Sequence, residues 1–444
     1  MKLRLTETRP DREDLVRTTI VFTEDMEGVE NEVVNLYPER RFETFEGFGG
    51  AITDAAAYVY SLMGESDKKN LIETYFKEEE MDYRLVRIHM DSCDFSMEMY
   101  EAVSDPEDKE LKTFSFARTE KYILPMLEDA QRAAEGKLEL MLSPWSPPAF
   151  MKTNGSRKNG GHLKPEYADM WADILCRYIE EFRKRGYTVR RMSLQNEAKA
   201  VQTWDSCVYS AVQEKEFLEE HLYPALVRHG LEDVEIFIWD HNKERAFERA
   251  EEIVKDRAAE MVSGVACHWY SGDHFESLDL LRRFYPDLKL IVSESCIEFS
   301  KFAAEDGTVN AERLAHELCG DLSHGVTAFY DWNVLLNEKG GPNHVGNYCD
   351  APFLYDTAEK KLMPRKIQRY FWHFSHFIHP GAVRIAYSRY MDMLDMTSFI
   401  NPDGTKVFVM LNRGEKAVPV TLRIDGQIAV YTVESHAIYT GEIL

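Results

Sequence analysis

Cysteine is scarce and scattered in this chain. The seven, at 93, 176, 207, 267, 296, 319 and 349, form no C-x-x-C pair, which argues against a zinc cluster or a dithiol redox motif. An odd count without a framework points to reduced thiols and a cytoplasmic setting. Basic residues are outnumbered, 53 Lys and Arg against 77 Asp and Glu, for a formal charge of −24. That argues against a basic face for nucleic acid or for an anionic membrane. No apolar run is long enough to span a bilayer, so no membrane insertion is expected. Met1-Lys2-Leu3-Arg4-Leu5-Thr6-Glu7 lacks the apolar core of a secretory signal; a leader removed beforehand would make the protein secreted. His89, His241, His268 and His344 fall near expected strand ends, yet H-x-H and H-E-x-x-H pairs do not occur. Satisfied or substrate-contacting histidines are expected, with no metal. No P-loop or dinucleotide fingerprint appears, so no cofactor is expected. Repeats, long linkers and low-complexity tracts are missing as well.

What is present suits a large enzyme. The chain has 444 residues, 44% hydrophobic and 29% charged, enough for a barrel and a companion domain. From Thr44 a strand-then-helix rhythm begins. Strands are expected to end near Gly50, Met90, Ser143, Glu197, Asp240, Tyr270, Glu294 and Trp332. Helices are expected over 66–78, 119–134, 167–185, 212–229, 243–255, 275–284, 311–319 and 365–377. Eight such units indicate a (β/α)8 TIM barrel over residues 41–380, because parallel strands need helical crossovers and eight strands close. After Pro380 the pattern changes to short alternating strands at 383–387, 394–400, 406–411, 418–422, 428–433 and 435–439. Asn401-Pro402-Asp403-Gly404 and Asp425-Gly426 are turn signals between them. With two strand-like patches at 18–22 and 32–36, this predicts an antiparallel β-sandwich side domain built from residues 1–40 and 381–444.

Two glutamates stand at matching places. Met192 and Leu194 alternate with Arg191 and Ser193 in a strand-like stretch that reaches Gln195-Asn196-Glu197 and then a polar loop. Leu288 to Val292 is a buried-strand run that ends on Ser293-Glu294. Strand ends of an α/β barrel are where catalytic groups collect. Two carboxylates there are the minimum equipment for glycoside hydrolysis: one protonated to help the leaving oxygen depart, one ionised to attack the anomeric carbon.

The chain resembles glycoside hydrolase family 30, whose best-known members are the glucosylceramidases. The landmarks run in order: Phe45 to Asp54; Arg87 with Ser92 to Ser96; Ser143-Pro144-Trp145-Ser146-Pro147-Pro148; Met151 to Gly155; Gln195-Asn196-Glu197; His268-Trp269-Tyr270; Ser293-Glu294-Ser295-Cys296; Asp331-Trp332-Asn333; Gly340-Gly341-Pro342-Asn343. The resemblance implies a retaining β-glycosidase acting without a cofactor on a carbohydrate or glycoside. Glu197 is then the acid/base and Glu294 the nucleophile, with carboxyls about 5–5.5 Å apart. An ionised Glu294 is expected to raise the pKa of Glu197 and keep it protonated. Asn196 is implied to bond the sugar 2-hydroxyl. Arg87 would hold Glu294 ionised. Asp94, Trp145 and Trp332 look like the sugar clamp, with Phe95, His268 and Tyr270 as wall and hydrogen-bond residues. β-Glucose is the favoured glycone, with β-xylose, β-fucose and β-galactose, or β-1,6-glucan and galactan, as alternatives. A carbohydrate-binding barrel without activity and a metal-dependent hydrolase are the competing classes. Ala198, where many members have proline, and Ile297-Glu298-Phe299 after Cys296 depart from the glucosylceramidase pattern. So does His344, at a position that is aromatic in the lysosomal relatives. These loops border the leaving-group side.

Overall fold

A computed structural model of the protein describes residues 1–12 and 14–444. Eight parallel strands close into a barrel. They are β1 (Gly47–Ala51), β2 (Leu85–Met90), β3 (Glu139–Pro144), β4 (Thr188–Ser193), β5 (Glu235–Asn242), β6 (Val262–His268), β7 (Lys289–Glu294) and β8 (Ala328–Asp331). The interior is narrow and filled by Leu85, Met141, Phe237, Ala266, Ile291, Ala328 and Tyr330. Closure brings backbones very near each other. A Cβ at Gly49 would lie 1.9 Å from the Leu85 carbonyl oxygen of the neighbouring strand, so only glycine fits there.

Helices cover the outside because their apolar residues recur every three or four positions. Ala168–Lys184 shows this best: Trp171, Ile174, Leu175, Tyr178, Ile179 and Phe182 are buried, and Gly186 follows at φ 84°, a conformation that stops a helix at little cost. Two expectations need amending. The helix Asp54–Ser61 was not foreseen; its residues are almost all buried, so it has no polar face to create a period. The expected helix over 212–229 divides into Ala211–Phe217, a π-helical turn Leu218–Leu222 and Tyr223–His229. Pro224 cannot donate to the carbonyl four residues back, and the widened turn absorbs that gap. After β8 a small sheet of Leu336–Asn337, Phe353–Asp356 and Lys361–Pro364 precedes the last barrel helix, Lys366–Ser375.

The side domain is one hydrogen-bonded sheet of ten strands folded over on itself. Its order is Val16–Val21, Lys2–Thr8, Ala437–Ile443, Lys406–Asn412, Leu394–Ile400, Val383–Ser388, Val33–Thr44, Val418–Ile424, Gln427–Val433 and Thr23–Glu24. The fold encloses Leu3, Leu5, Leu36, Met396, Phe408, Leu422 and Val433. Pairing is antiparallel except between Val33–Thr44 and Val418–Ile424, which run parallel. The strand Val33–Thr44 continues without a break past residue 41, so the sheet gives way to the barrel only after Thr44. Its register with Val383–Ser388 shifts twice, and such irregularities bend a strand. The opposite face of the sheet, with Phe399, Val407, Val409, Leu411 and Ile438, joins the barrel's own core. Between barrel and sheet sits the fully buried His373, held by Thr8 and Thr440, each 2.8 Å away.

Candidate active site

The C-terminal ends of the strands surround a cavity of about 280 Å³. Arg87, from β2, is the hub beneath it and is fully buried. Its Nη1 donates to Glu294 Oε2 at 2.6 Å, and its Nη2 donates to Asp240 Oδ2 at 2.8 Å and Asn196 Oδ1 at 2.9 Å. Its Nε donates to Ser143 Oγ at 3.1 Å. The guanidinium lies 5.0 Å from the Trp145 ring and 5.4 Å from the Trp332 ring, and those two indoles stack 5.3 Å apart. The cation is thus desolvated but fully partnered.

Glu294, at the end of β7, accepts on both oxygens: Arg87 at Oε2 and the Tyr270 hydroxyl at Oε1, 2.8 Å away. That is the acceptor-only pattern of a carboxylate. Burial, with the Cys296 and Glu294 charges, pushes the Tyr270 phenol well up, so it stays a donor. Glu197 reaches the cavity differently. Strand β4 stops at Ser193, but the chain keeps alongside β5: Leu194 N–H donates to Phe237 O at 3.0 Å and Glu197 N–H to Asp240 O at 2.8 Å. Asn196 N–H donates to Pro144 O of β3. Pinned on both sides, Glu197 adopts φ 48°, an uncommon conformation of the kind found at functional sites.

Behind both glutamates stands His268, from the end of β6 and fully buried. Its Nδ1 is 3.3 Å from Glu197 Oε1, and its Nε2 is 3.1 Å from Asp240 Oδ1 and 3.9 Å from Glu294 Oε2. Burial pushes this imidazole down, but Glu294, Asp240 and Glu197 outweigh burial and raise it to about 9. For Glu197, burial raises the pKa, while His241 and His268 pull it well below the carboxylate range. This corrects the expectation that Glu294 keeps Glu197 protonated: the imidazoles draw Glu197 down while the carboxylates raise His268, so the proton belongs on the imidazole. Asp94 behaves oppositely. Burial first, then the charges of Glu294 and Glu197, push it up to about 8. The Asn347 amide donates to it from 3.3 Å, and the Phe95 N–H also favours its charged form.

Of the residues expected in the site, Asp94, Trp145, Asn196, Glu197, Tyr270, Glu294 and Trp332 line the cavity. Arg87, Phe95 and His268 are set back from it. Arg87 and His268 lie behind the wall and act on the glutamates. Phe95 is buried edge-on against Trp332, ring centres 6.0 Å apart, and supports that ring. Residues not singled out also line it, among them Gln202, Trp204, Asn242, Lys301 and Asn347, and so do His241, one of the strand-end histidines, and Glu298. Asp240 was the largest omission. It stands at a strand end, the same signal that marked the two glutamates. His89 is satisfied, its Nδ1 bonding Asp91 O and its Nε2 accepting from Asp54 N–H; His344 Nδ1 bonds Ser96 O, but its buried Nε2 makes no hydrogen bond among the described residues.

A closed parallel barrel with two carboxylates facing one cavity at its C-terminal end defines a (β/α)8 enzyme built for hydrolysis of glycosides. The chain belongs to glycoside hydrolase family 30: the TIM-barrel domain of that family matches residues 45–379 and its beta sandwich domain residues 381–441. The chain is similar to the lysosomal acid glucosylceramidase of Mus musculus, 30% identical over 409 residues, which are 88% of this chain and 79% of that protein. It is 24% identical over 404 residues to the endo-1,6-beta-D-glucanase of Neurospora crassa, covering 87% of this chain and 82% of the other. The crystal structure of SrfJ from Salmonella typhimurium superposes with a TM-score of 0.96 at 36% identity, over 100% of this chain and 99% of SrfJ.

Proposed function

We propose that the protein hydrolyses β-glucosides with retention of configuration, Glu294 attacking the anomeric carbon and Glu197 serving as acid and then base. One observation carries this reading: the two carboxylates open onto one cavity and touch one imidazole, yet have opposite surroundings. Glu294 is fixed by two donors and is ready to attack. Among the described residues, the Glu197 carboxylate faces His268, His241 and, at 3.4 Å, the Gln202 amide.

The proton for the leaving oxygen then has a defined source. His268 Nδ1 passes it to Glu197, which delivers it to the glycosidic oxygen as Glu294 attacks. General acid help of this kind is typically worth about 10²–10⁴-fold. Once Glu294 is esterified, the charge that most raises His268 is gone. The Glu197–His268 pair, having given its proton to the leaving oxygen, then stays deprotonated, and Glu197 accepts a proton from the water that attacks the anomeric carbon and releases the Glu294 carboxylate. Asn196 has its carbonyl oxygen occupied by Arg87, leaving its amide N–H groups for a sugar hydroxyl. Trp145 and Trp332 offer apolar walls and Asp94 a hydroxyl partner.

Glucose as the glycone is supported by the names of two relatives, the mouse glucosylceramidase and the fungal 1,6-glucanase, which share a glucosyl unit. The aglycone side is polar, with Gln202, Asn242, Glu298 and Lys301 at the cavity. Such a rim favours a sugar or other polar aglycone over a ceramide, whose chains need an apolar groove. All seven cysteines are free and buried, which supports a reducing compartment such as the cytoplasm. The test is a panel of p-nitrophenyl β-glycosides, followed by a β-1,6-linked glucose disaccharide against glucosylceramide. Faster turnover of the β-glucoside and of the disaccharide is expected. A 2-fluoro-β-glucoside should label Glu294 on mass mapping. Label elsewhere removes Glu294 as nucleophile, and preference for glucosylceramide overturns the polar aglycone.

A further inference from the structure

Glu197 has a second chemistry available. Glu197, His241 and His268 each offer one ligand atom, and these lie within 4.8 Å of one another, a grouping able to hold a metal ion. Motif spacing could not reveal it, because the three come from the ends of three different strands. Oε1 is 3.3 Å from His268 Nδ1 and 3.6 Å from His241 Nδ1. Tetrahedral zinc with bonds of about 2.0–2.2 Å holds neighbouring ligand atoms roughly 3.4 Å apart. Two of the three separations therefore already fit.

Three further features point the same way. His241 Nδ1 is buried and makes no hydrogen bond among the described residues; at 3.6 Å it is too far from Glu197 Oε1 to bond it. The cause is a bulge in β5. Register against β6 jumps between Trp239 and His241, and Trp239 and Asp240 have φ of 73° and 45°. The extra residue re-aims the strand end, so consecutive Asp240 and His241 both reach the glutamate side. Next, Asp240 Oδ1 stands 3.1 Å from His268 Nε2. A carboxylate on one ring nitrogen, itself anchored by Arg87 and Ser293, keeps the N–H on that side and fixes the ring's direction, so an ion that displaces the Nδ1 proton finds that nitrogen already aimed. Finally, Glu197 and His241 line the cavity, so an ion can enter and a water can complete its shell. Two imidazoles and one carboxylate suit zinc or copper rather than magnesium or calcium.

We propose that Glu197, His241 and His268 form a binding site for a divalent transition metal, zinc above all, and that its occupation switches hydrolysis off. The binding stands on geometry alone; the switching rests on Glu197 being the acid/base. An ion on Oε1 and on His268 Nδ1 takes both the acceptor and the source of the leaving-group proton.

The two halves are tested separately. Equilibrium dialysis of the intact protein against zinc should retain one ion per chain, and cobalt should give the visible absorption of a tetrahedral site. His241→Asn should weaken zinc retention by at least about 100-fold and abolish the cobalt band. Its melting temperature, and labelling of Glu294 by the 2-fluoro-glucoside, will show that the cavity is still formed. Glu197→Gln serves as a second ligand variant and should lose the band too. No retained zinc in the wild type, or retention unchanged in both variants, overturns the site. For the switch, zinc should suppress hydrolysis of p-nitrophenyl β-glucoside in proportion to occupancy, and EDTA should restore it. Bound zinc with unchanged hydrolysis overturns the switch while leaving the site. Hydrolysis that rises with zinc overturns it too, and would make the protein a metal-dependent hydrolase. Neither result touches the assignment of Glu294, which the covalent label tests on metal-free protein.

Discussion

Two buried arginines mark the two ends of the barrel, and they do different work. Arg191, on β4, points to the N-terminal end. It donates to Glu46 and, at 3.3 Å, to the Tyr330 hydroxyl. Around it lie Arg190 on Glu139, 2.7 Å apart, and Lys289 on Glu46 and Glu235. Three cations face three carboxylates, each at or beside the start of a strand. Burial would raise Glu46, but Arg191 and Lys289 hold it below the usual range. Arg87, at the other end, also sits among acids, yet Glu197, Asp240 and Glu294 outnumber Arg87 and the His268 imidazolium. The charges at the bottom close on one another. Those at the top leave a surplus facing a cavity. Burial of charge does not by itself mark a site; an imbalance that opens on a cleft does.

The largest expected effect sharpens that contrast. Glu294→Gln should cut hydrolysis by about 10⁴-fold or more, the scale on which loss of a covalent nucleophile is felt, with little change in melting temperature. Near-normal kcat in this variant would erase the distinction between the two ends. Arg191→Met should do the reverse. Breaking a buried ion pair typically costs about 3–5 kcal/mol, so urea unfolding should move to lower denaturant while kcat and KM stay put. A change in kcat with unchanged stability would make the bottom cluster part of the machinery.

Arg87→Lys is a smaller step. Lysine keeps the charge but cannot bridge Glu294, Asp240 and Asn196 together. Misplacing a catalytic group by an ångström can cost about 10²-fold, and the loss should appear in kcat more than in KM. Asp94→Asn gives the smallest effect, read through pH. The folded pKa of Asp94 is about 8, above its ordinary 3.8. Between about pH 4 and pH 8 the folded state therefore holds a proton that the unfolded chain has lost. That group's contribution is neutral at low pH and increasingly destabilising as pH rises towards 8. The variant should gain roughly 1–3 kcal/mol over wild type at pH 8 and far less at pH 5, while glucoside KM rises. A stability difference that does not change with pH would show that Asp94 is ionised in the empty cavity.

Much of the fold was legible because its signals are local. Each barrel strand is a short apolar run, and Gly186 closes its helix where the sequence places it. The two glutamates were legible because each follows such a run. Less visible was anything that depends on which strands become neighbours. The pull of His241 and His268 on Glu197 crosses from β5 and β6 to the end of β4. No spacing within one segment encodes it, and so the proton was expected on the carboxylate. Arg191 looked like the polar half of an alternating strand, which is what a residue at the closed end of a barrel resembles before closure. Phe95 and Tyr270 are both aromatic near strand ends; only the packed structure puts one behind Trp332 and the other on Glu294.

The ten-stranded sheet also sets a timetable. Ala437–Ile443 is not an edge strand; it lies between Lys2–Thr8 and Lys406–Asn412, with Leu3 opposite Ile443. At synthesis rates of about 5–20 residues per second, Leu3 waits roughly 20–90 s for that partner to be made. Meanwhile the helices Thr308–Ser323 and Lys366–Ser375 emerge without the sheet that covers them, and Lys2–Thr8 offers unpaired backbone beside it. The nascent chain therefore carries a strand edge through most of its translation and an apolar barrel flank through roughly the last quarter of it. Ribosome-bound intermediates that end before Ala437 should be the ones chaperones hold, and release should coincide with insertion of that last strand.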